Sequence, residues 1–519
     1  MLKPLPIGVQ TFSDLIESGF LYVDKTRWIY ELVRHPKGVY FLSRPRRFGK
    51  SLLLSTLGAL FEGRRELFEG LWISDSDYAW PVHPVIRIDF SLFRVETEEE
   101  LKQKLVERLE EIAADQGLIL GAGDYQKKLN DLIRALAEQG GVVILIDEYD
   151  KPIIDNIDHP EAAARIREAL KGFYTVIKGM DAYVRFVFLT GVSKFSKVGV
   201  FSGLNNLKDI TLDNRYATLL GFTQEELERD FHDYIQVFAE NADASPSELV
   251  ARIQHWYNGF RFSKRGAPVY NPFSLLLVCD MQDFRNFWFE TGTPTFLIKL
   301  LKSKGYDVRE LESLRVSELT FSSYEIEDLR PVPLLWQTGY LTIKDYDPRS
   351  RLYRLSYPNY EVQNAFMHHL LDAFSSASDG LIGGYLWDLL DALQAQAWEK
   401  FFASLGVFFA GIPYDIQIPQ ERYYQTVFYL IFKLMGLQIG AEVRTNRGRI
   451  DAVIELDEGV FIFEFKLDGT AEAALAQIAA RGYDEQYRRV EKQKPIYHIG
   501  VAFGTETRSI IEWQVVTQT

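Results

Sequence analysis

Short apolar segments alternate with helical segments over residues 1–220 of this chain. Four apolar runs have the length and composition of strands, and they lie at 38–43, 84–93, 140–150 and 183–196. Helices are expected over 50–63 and from Thr97, where Thr97 and Glu100 form a capping box. This alternation is typical of a mainly parallel sheet with helices on its faces. Residues 1–220 are therefore predicted to form an α/β domain.

The rest of the chain divides into two regions of different character. Residues 221–395 read mostly as helical segments rich in aromatic residues. After residue 396 the α/β character returns, with helices expected at 421–436 and 470–489 and strands at 437–444, 449–456, 460–466 and 496–503. Because 519 residues exceed what one hydrophobic core normally organises, we predict three domains, at 1–220, 221–395 and 396–519.

Composition limits the class of protein. A 47% hydrophobic share with 25% charged residues is typical of globular chains. The single cysteine, Cys279, excludes an intrachain disulfide and a multi-cysteine zinc site. No apolar run approaches the ~20 residues of a membrane span, so a soluble cytoplasmic protein is expected. The net charge of −14 argues against a surface that is basic throughout, although a local basic stripe could still bind nucleic acid.

The segment after the first predicted strand, FLSRPRRFGKSLLL at 41–54, contains most of a phosphate-binding loop. Gly49, Lys50 and Ser51 supply the end of G-x-x-x-x-G-K-S/T, but Arg44 stands where the first glycine belongs. In such a loop, backbone N–H groups and a helix N-terminus bind phosphate, the lysine contacts the β- and γ-phosphates, and the hydroxyl binds Mg²⁺. Taken alone, this segment is either a nucleotide site or a chance occurrence of three residues.

A second candidate element follows in VVILIDEYD, an apolar strand that ends in Asp147 and Glu148. Asp147 could hold Mg²⁺ through its water shell, and Glu148 could polarise the attacking water in phosphoryl transfer. The alternative is a solvated acidic turn at the end of a strand. Because one strand-helix unit separates this element from the loop, the two together favour a nucleotide site.

A separate candidate site lies in RGRIDAVIELDEGVFIFEFK, at 447–466. Asp451 begins one predicted strand, and Glu464 and Lys466 close the next. Side chains alternate along a strand, so Glu464 and Lys466 share one face. Two carboxylates that bind Mg²⁺ and a lysine that orients or deprotonates water are what metal-dependent phosphodiester cleavage needs. A half-exposed hairpin with ion pairs is the alternative interpretation.

With these motifs, the chain resembles bacterial AAA-ATPase-like proteins that carry a C-terminal nuclease domain of the PD-(D/E)XK superfamily. The resemblance covers nearly the whole chain, through LPIGVQTFSDLIESGFLYVDKT, FLSRPRRFGKS, ILIDEYDKPI, FLTGVSKFSKVGVFSGLNNLKDIT and YNPFSLL. RPRRFGKS is the usual form of the loop in that family, so the resemblance implies that Arg44 is a family trait. It also suggests that YVDKT, at 22–26, meets the nucleotide.

The resemblance implies an ATP site with a catalytic Glu148. Thr190 or Ser193 would sense the γ-phosphate, unless both are ordinary strand-end hydroxyls. The residues expected at the nucleotide are Arg46, Arg47, Phe48, Gly49, Lys50, Ser51, Leu52, Asp147, Thr190 and Ser193. In the nuclease domain it implies that Gln477 reaches the active site and that Glu421 assists Asp451 and Glu464 with metal. A glutamate in the first turn of a helix is also favoured by the helix dipole.

These features predict an ATP-binding and ATP-hydrolysing protein with a nuclease that uses Mg²⁺, or Mn²⁺ in its place. Nucleic acid is the expected partner, DNA in preference to RNA, and regulation by ATP in DNA processing or defence against mobile elements is the expected role. A positive surface could come from Arg444, Arg447, Arg449, Arg481, Arg488 and Arg489, which could equally be a solvated rim. The alternative is a nucleotide-dependent switch whose nuclease-like domain binds DNA or a protein without cleaving. A homo-oligomer is left open.

Overall fold

The computed structural model of the protein describes residues 2–194, 203–291, 295–321, 330–375, 379–412, 420–437, 439–444, 449–485, 487 and 494–518. The chain forms two compact units. Unit 1 comprises Met1–Thr291 and Ser313–Val362, and unit 2 comprises Gly292–Glu312 and Gln363–Thr519. The chain therefore passes between the units three times, after Thr291, Glu312 and Val362.

The strands and helices are numbered in chain order. The strands are β1 (Gly38–Ser43), β2 (Val85–Asp89), β3 (Val142–Asp147), β4 (Val184–Gly191), β5 (Lys208–Asp209), β6 (Leu314–Ser317), β7 (Thr342–Asp347), β8 (Leu352–Ser356), β9 (Ile439–Arg444), β10 (Arg449–Leu456), β11 (Gly459–Leu467), β12 (Ile496–Phe503) and β13 (Ile510–Gln518). The helices are α1 (Phe12–Glu17), α2 (Thr26–Val33), α3 (Lys50–Phe61), α4 (Glu98–Asp115), α5 (Tyr125–Ala137), α6 (Lys151–Ile154), α7 (Pro160–Gly179), α8 (Gln224–Asp230), α9 (His232–Asn241), α10 (Pro246–Tyr257), α11 (Pro272–Met281), α12 (Thr295–Ser303), α13 (Pro331–Gln337), α14 (Tyr360–Ser375), α15 (Asp379–Gln394), α16 (Trp398–Ala410), α17 (Glu421–Leu434) and α18 (Ala471–Arg481).

A five-stranded parallel sheet forms the centre of unit 1, in the order β2-β3-β4-β1-β5. The four strands expected from the sequence are confirmed, although β2 ends at Asp89 because a short 3₁₀ turn follows it. Helix α3 packs on this sheet through Leu53 and Leu57, which are buried with Leu145 and Phe186. This packing fixes the start of α3 beside the carboxyl ends of the parallel strands, where ligands of such sheets usually bind.

The capping box predicted at Thr97 is present at the start of α4. The Thr97 hydroxyl accepts a hydrogen bond from the Glu100 backbone N–H at 3.2 Å, and the Glu100 carboxylate accepts one from the Thr97 N–H at 3.3 Å. Helix α4 then buries one side, at positions spaced three to four residues apart, namely Leu101, Leu105, Leu109, Ile112 and Ala113. The spacing of the apolar residues and the capping box both indicate a helix that starts after Thr97, so α4 could be predicted from the sequence.

The stretch 221–395 contains more than the helices expected there. It includes β6, β7 and β8, which form an antiparallel sheet in the order β6-β8-β7. Burial alternates along β8, as in a strand with one covered face. The stretch also contributes to both units. The sequence reading missed these strands because they are only four to six residues long and lie among aromatic-rich helices.

Unit 2 contains a second five-stranded sheet, in the order β13-β12-β11-β10-β9. Strands β10 and β11 form an antiparallel hairpin, and β11 pairs with β12 in parallel. The helix expected at 470–489 stops at Arg481, because Gly482 takes a left-handed conformation with φ 58° that ends it. Strand β13 was not expected. Across the described residues, no helix has both the length and the apolar character needed to cross a membrane.

Candidate functional site

The loop between β1 and α3 turns the chain through two left-handed residues. Arg47 has φ 63° and Gly49 has φ 86°, and Lys50 begins α3 directly afterwards. Glycine adopts this conformation without strain, whereas arginine does so rarely. The loop thereby presents the N-terminus of α3, a favourable position for an anion, to the cavity of unit 1.

Arg44, which replaces the first glycine of the motif, anchors the loop. Its side chain is 1% exposed, and its guanidinium donates to the carbonyl oxygens of Ser43 at 2.8 Å, Thr211 at 3.0 Å and Tyr216 at 3.2 Å. It also stacks on Phe262, 4.1 Å from the ring centre. Burial lowers the pKa of Arg44 to about 9. Arg44, the residue that departs from the phosphate-loop pattern, therefore links the end of β1 to a segment about 170 residues later, at Thr211 and Tyr216.

Lys50 lies inside the loop. Its Nζ donates to the carbonyl oxygens of Arg44 at 3.1 Å and Pro45 at 2.9 Å. Burial lowers the pKa of Lys50, while the carboxylates of Asp147 and Glu148 oppose that shift. A buried ammonium held by two neutral carbonyls gains more from a phosphate, because charge-assisted hydrogen bonds are the stronger ones.

The end of β3 brings together three residues that the sequence singled out. The Thr190 hydroxyl donates to Asp147 at 2.5 Å, and the Glu148 backbone N–H donates to the same carboxylate at 3.0 Å. Glu148 itself has φ 47°, which is unusual for a residue with a side chain and is typical of functional sites. Its side chain lines the cavity, and burial raises its pKa.

Asp150 belongs to the same site and was not singled out from the sequence. It is 1% exposed and accepts hydrogen bonds from the Ser193 hydroxyl and the Ser193 N–H, both at 2.6 Å. Burial raises the pKa of Asp150. The Ser193 hydroxyl thus contacts an acid of the site, as that of Thr190 contacts Asp147. The available signal was the acidic run DEYD, whose last residue lies three positions after Asp147.

A cavity of about 460 Å³ adjoins these groups within unit 1. All seven predicted loop residues line it, namely Arg46, Arg47, Phe48, Gly49, Lys50, Ser51 and Leu52. Apolar residues line it as well, among them Val9, Leu220, Phe222, Phe273 and Leu276. The segment YVDKT reaches the same cavity through Tyr22, Val23 and Lys25. A cavity that combines the N-terminus of a helix with apolar lining residues suits a nucleotide.

The second site lies on the β10–β11 hairpin of unit 2. Asp451 accepts a hydrogen bond from the Phe465 N–H at 2.8 Å, which ties the two strands beside the site. Glu464 is 1% exposed, and its Oε1 accepts from the Lys466 ammonium at 3.1 Å and from the Gln477 amide. The Oε2 of Glu464 is buried with no hydrogen-bond partner among the described residues. An unpaired buried oxygen is costly, so this atom is a favourable position for a ligand.

The two acids destabilise each other's charge. Burial, followed by the negative charge of Asp451, raises the pKa of Glu464 to about 8. Burial also raises the pKa of Asp451 to about 6, and the charge of Glu421 adds to the increase. In a hairpin stabilised by ion pairs, these pKa values would fall instead. A divalent cation between the two acids fits this electrostatic arrangement.

Two helices bring the remaining predicted residues to the hairpin. Gln477 of α18 donates to Glu464, and Glu421 of α17 accepts from the Leu467 N–H at 3.3 Å. Among the described residues, no three acidic, histidine or cysteine side chains converge closely enough to hold a metal by themselves. A cation held by Asp451 and Glu464 would therefore need water or backbone oxygens among its ligands, even with Glu421 assisting.

Of the six arginines suggested as a positive surface, Arg481 is exposed at the end of α18. The backbones of Arg444 and Arg449 belong to β9 and β10. Their side chains lie outside the described residues, as do Arg447, Arg488 and Arg489 entirely.

Without metal, the protein should lose stability as the pH rises. The folded-state pKa of Glu464, about 8, lies above its ordinary value of 4.5, so the protonated acid stabilises the folded form. That contribution is complete below the unfolded pKa and is lost as the pH rises through the folded one. Thermal unfolding in a chelator, followed from about pH 5 to about pH 8.5, measures it. Glu464→Gln should give a flatter profile, and parallel profiles for the two proteins would contradict the assignment.

Comparison with known proteins gives two family matches and one relative. Residues 6–201 match a family model described as predicted AAA-ATPase, and residues 419–513 match one described as PD-(D/E)XK nuclease superfamily. The chain is 40% identical over 531 residues to "Uncharacterized protein in vnfD 5'region" of Azotobacter chroococcum mcd 1, with 99% of each chain covered. The first match contains the loop and Asp147, and the second contains Glu421, Asp451, Glu464, Lys466 and Gln477.

Proposed function

The chain belongs to the family of AAA-ATPase-like proteins that carry a C-terminal domain of the PD-(D/E)XK nuclease superfamily, and we propose that unit 1 binds and hydrolyses ATP while unit 2 cleaves nucleic acid. The observation that carries the nuclease half is the Oε2 of Glu464, which is buried near Asp451 and Lys466 and has no hydrogen-bond partner in the described part of the chain. A purely structural hairpin would gain stability by replacing that oxygen with an apolar group.

In unit 1, each residue has a distinct part in the proposed hydrolysis. The N–H groups at the start of α3 and the Lys50 ammonium bind the β- and γ-phosphates, in place of the carbonyls that Lys50 now contacts. Ser51 and Asp147 would hold Mg²⁺, which supplies charge neutralisation on the phosphates. Glu148 polarises the attacking water, and its raised pKa suits a group that accepts a proton. Thr190 keeps the Asp147 carboxylate in place.

In unit 2, Asp451 and Glu464 would hold Mg²⁺ or Mn²⁺, with Glu421 assisting. The metal would supply Lewis-acid activation of the phosphate and of water. Lys466 orients the water that attacks phosphorus and offsets the negative charge that develops on the phosphate oxygens. Gln477 holds Glu464 by its amide, so that the second oxygen of Glu464 stays directed at the site.

DNA is the proposed substrate in preference to RNA, and nucleotide bound in unit 1 is the proposed regulator. A role in DNA processing or in defence against mobile elements would require the cleavage to be regulated, because an unrestrained nuclease damages the DNA of its own cell. A cytoplasmic location and a homo-oligomeric state stay predictions from the sequence, as do the three domain boundaries. In the alternative function, a nucleotide-dependent switch, unit 2 binds DNA or a protein partner without cutting it.

The test is one assay of the purified protein on labelled DNA and RNA. Each substrate is incubated with Mg²⁺, Mn²⁺ or a chelator, in the absence and presence of ATP. We expect cleavage that requires a divalent metal and whose rate differs between the nucleotide states. Binding of nucleic acid without cleavage under every condition would favour the switch. Equal cleavage rates in all nucleotide states would remove the regulatory half of the proposal.

A further inference from the structure

Residues 292–312 belong to unit 2, although the residues before and after them belong to unit 1. Near the end of this segment, Asp307 and Arg309 are each 7% exposed and form a two-pronged ion pair. The Arg309 Nε donates to one Asp307 oxygen at 2.9 Å, and its Nη2 donates to the other at 2.7 Å. This pair fixes the plane of the guanidinium, and Nη1 takes no part in the ion pair.

A chain of hydrogen bonds runs from Nη1 of Arg309 through Gln425 of α17 to the proposed nuclease site. It donates to the Gln425 carbonyl oxygen at 3.0 Å, and the Gln425 amide nitrogen donates to Glu421 at 3.3 Å. The second oxygen of Glu421 accepts from the Leu467 N–H at 3.3 Å, one residue after Lys466. Arg309 has no acceptor, so it sets which end of the Gln425 amide faces Glu421. Without Arg309, the Gln425 amide could turn its oxygen toward the Glu421 carboxylate, and the two oxygens would repel each other.

The same segment is attached to α17 at a second point. Glu312 forms an ion pair with Lys433 at 2.7 Å and accepts a hydrogen bond from Gln363 at 3.0 Å. Burying an ion pair such as Asp307 and Arg309 contributes little net stability, because both groups lose their hydration. The position that this ion pair gives to Gln425 is a better explanation for its presence next to α17.

We propose that Arg309 is a positioning residue of the nuclease site, which holds the Glu421 carboxylate toward Asp451 and Glu464 through Gln425. This inference rests on the proposed metal site of unit 2. Glu421 acts electrostatically on both acids, as its charge raises the pKa of each. Partners one step removed from metal ligands typically change metal affinity 10- to 100-fold when removed. Gln425 is such a partner of Glu421, and Arg309, supplied from more than 100 residues before the hairpin, acts through Gln425.

The test measures Mn²⁺ binding to the full chain by calorimetry, without nucleotide or substrate. Arg309→Met should weaken Mn²⁺ binding roughly 10-fold or more, and Arg309→Lys should restore little, because lysine lacks the planar fork. Gln425→Leu should give the same loss, and the double variant should lose no more than either single one, since both act in one relay. The matched control is Arg422→Met, because Arg422 also approaches Asp307, at 3.8 Å, from α17. It should bind Mn²⁺ as the wild type does.

The results of this experiment test the role of Arg309, the metal site and the cleavage activity separately. Wild-type affinity in folded Arg309→Met, or additive losses in the double variant, would overturn the role of Arg309. If Arg309→Met does not fold, Arg309→Lys and Gln425→Leu provide the same comparison. A wild-type protein that binds no Mn²⁺ would overturn both the relay and the metal site. One that binds Mn²⁺ with the predicted differences, yet cuts no nucleic acid, would support the relay and overturn the proposed cleavage alone.

Discussion

Replacing Lys50 by alanine should lower ATP affinity at least about 100-fold, which corresponds to ~2.7 kcal/mol. The Lys50 ammonium is buried in the loop and, among the residues that the structure describes, donates to two neutral carbonyl oxygens, which phosphate oxygens can replace. The substitution removes the only lysine of the loop while leaving Gly49 and the start of α3 unchanged. Calorimetric titration with ATP and Mg²⁺ measures the affinity.

Glu148→Gln is the matched variant for this experiment. The amide keeps the size of the side chain but cannot accept a proton, so ATP binding should persist while hydrolysis slows ~100-fold or more. Together the two variants separate phosphate binding from preparation of the water. ATP affinity in Lys50→Ala equal to that of the wild type would show that the loop does not bind the phosphates.

Asp451→Asn should reduce metal-dependent cleavage at least about 100-fold and leave ATP hydrolysis in place. Asparagine can still accept the hydrogen bond from the Phe465 N–H, so the hairpin is kept and only the charge at the metal site is lost. Lys466→Ala should have a similar effect, because it removes the cation next to Glu464. Rates of cleavage and of ATP hydrolysis are measured on the same preparations. Cleavage that survives both substitutions would place the chemistry elsewhere in the chain.

The parts of the protein that could be predicted are those whose structure is determined by residues close together in the sequence. Strands β1 and β3 were readable because each is a continuous apolar run that is buried on both faces. The hairpin site was readable because alternation along β11 fixes which face Glu464 and Lys466 share. The matches to residues 6–201 and 419–513 confirm the two domain types that these motifs indicated.

The parts that could not be predicted depend on contacts between distant residues. Arg44 anchors its loop to Thr211 and Tyr216, more than 160 positions later, and no local pattern announces such a tie. Arg309 meets Gln425 across 116 positions for the same reason. Strand β13 escaped notice because it is an edge strand that is only partly buried, so its sequence lacks a continuous apolar run.

The way the two units share the sequence also sets the order in which they can be completed during synthesis. All residues of unit 1 lie at or before Val362, whereas unit 2 contains Gln363–Thr519 in addition to Gly292–Glu312. A ribosome therefore releases all of unit 1 before Asp451 has been added to the chain. A polypeptide that stops early can carry the proposed nucleotide-binding unit without the proposed nuclease residues, and never the reverse. Every copy of the proposed nuclease site is thus made in a chain that already holds its proposed regulator.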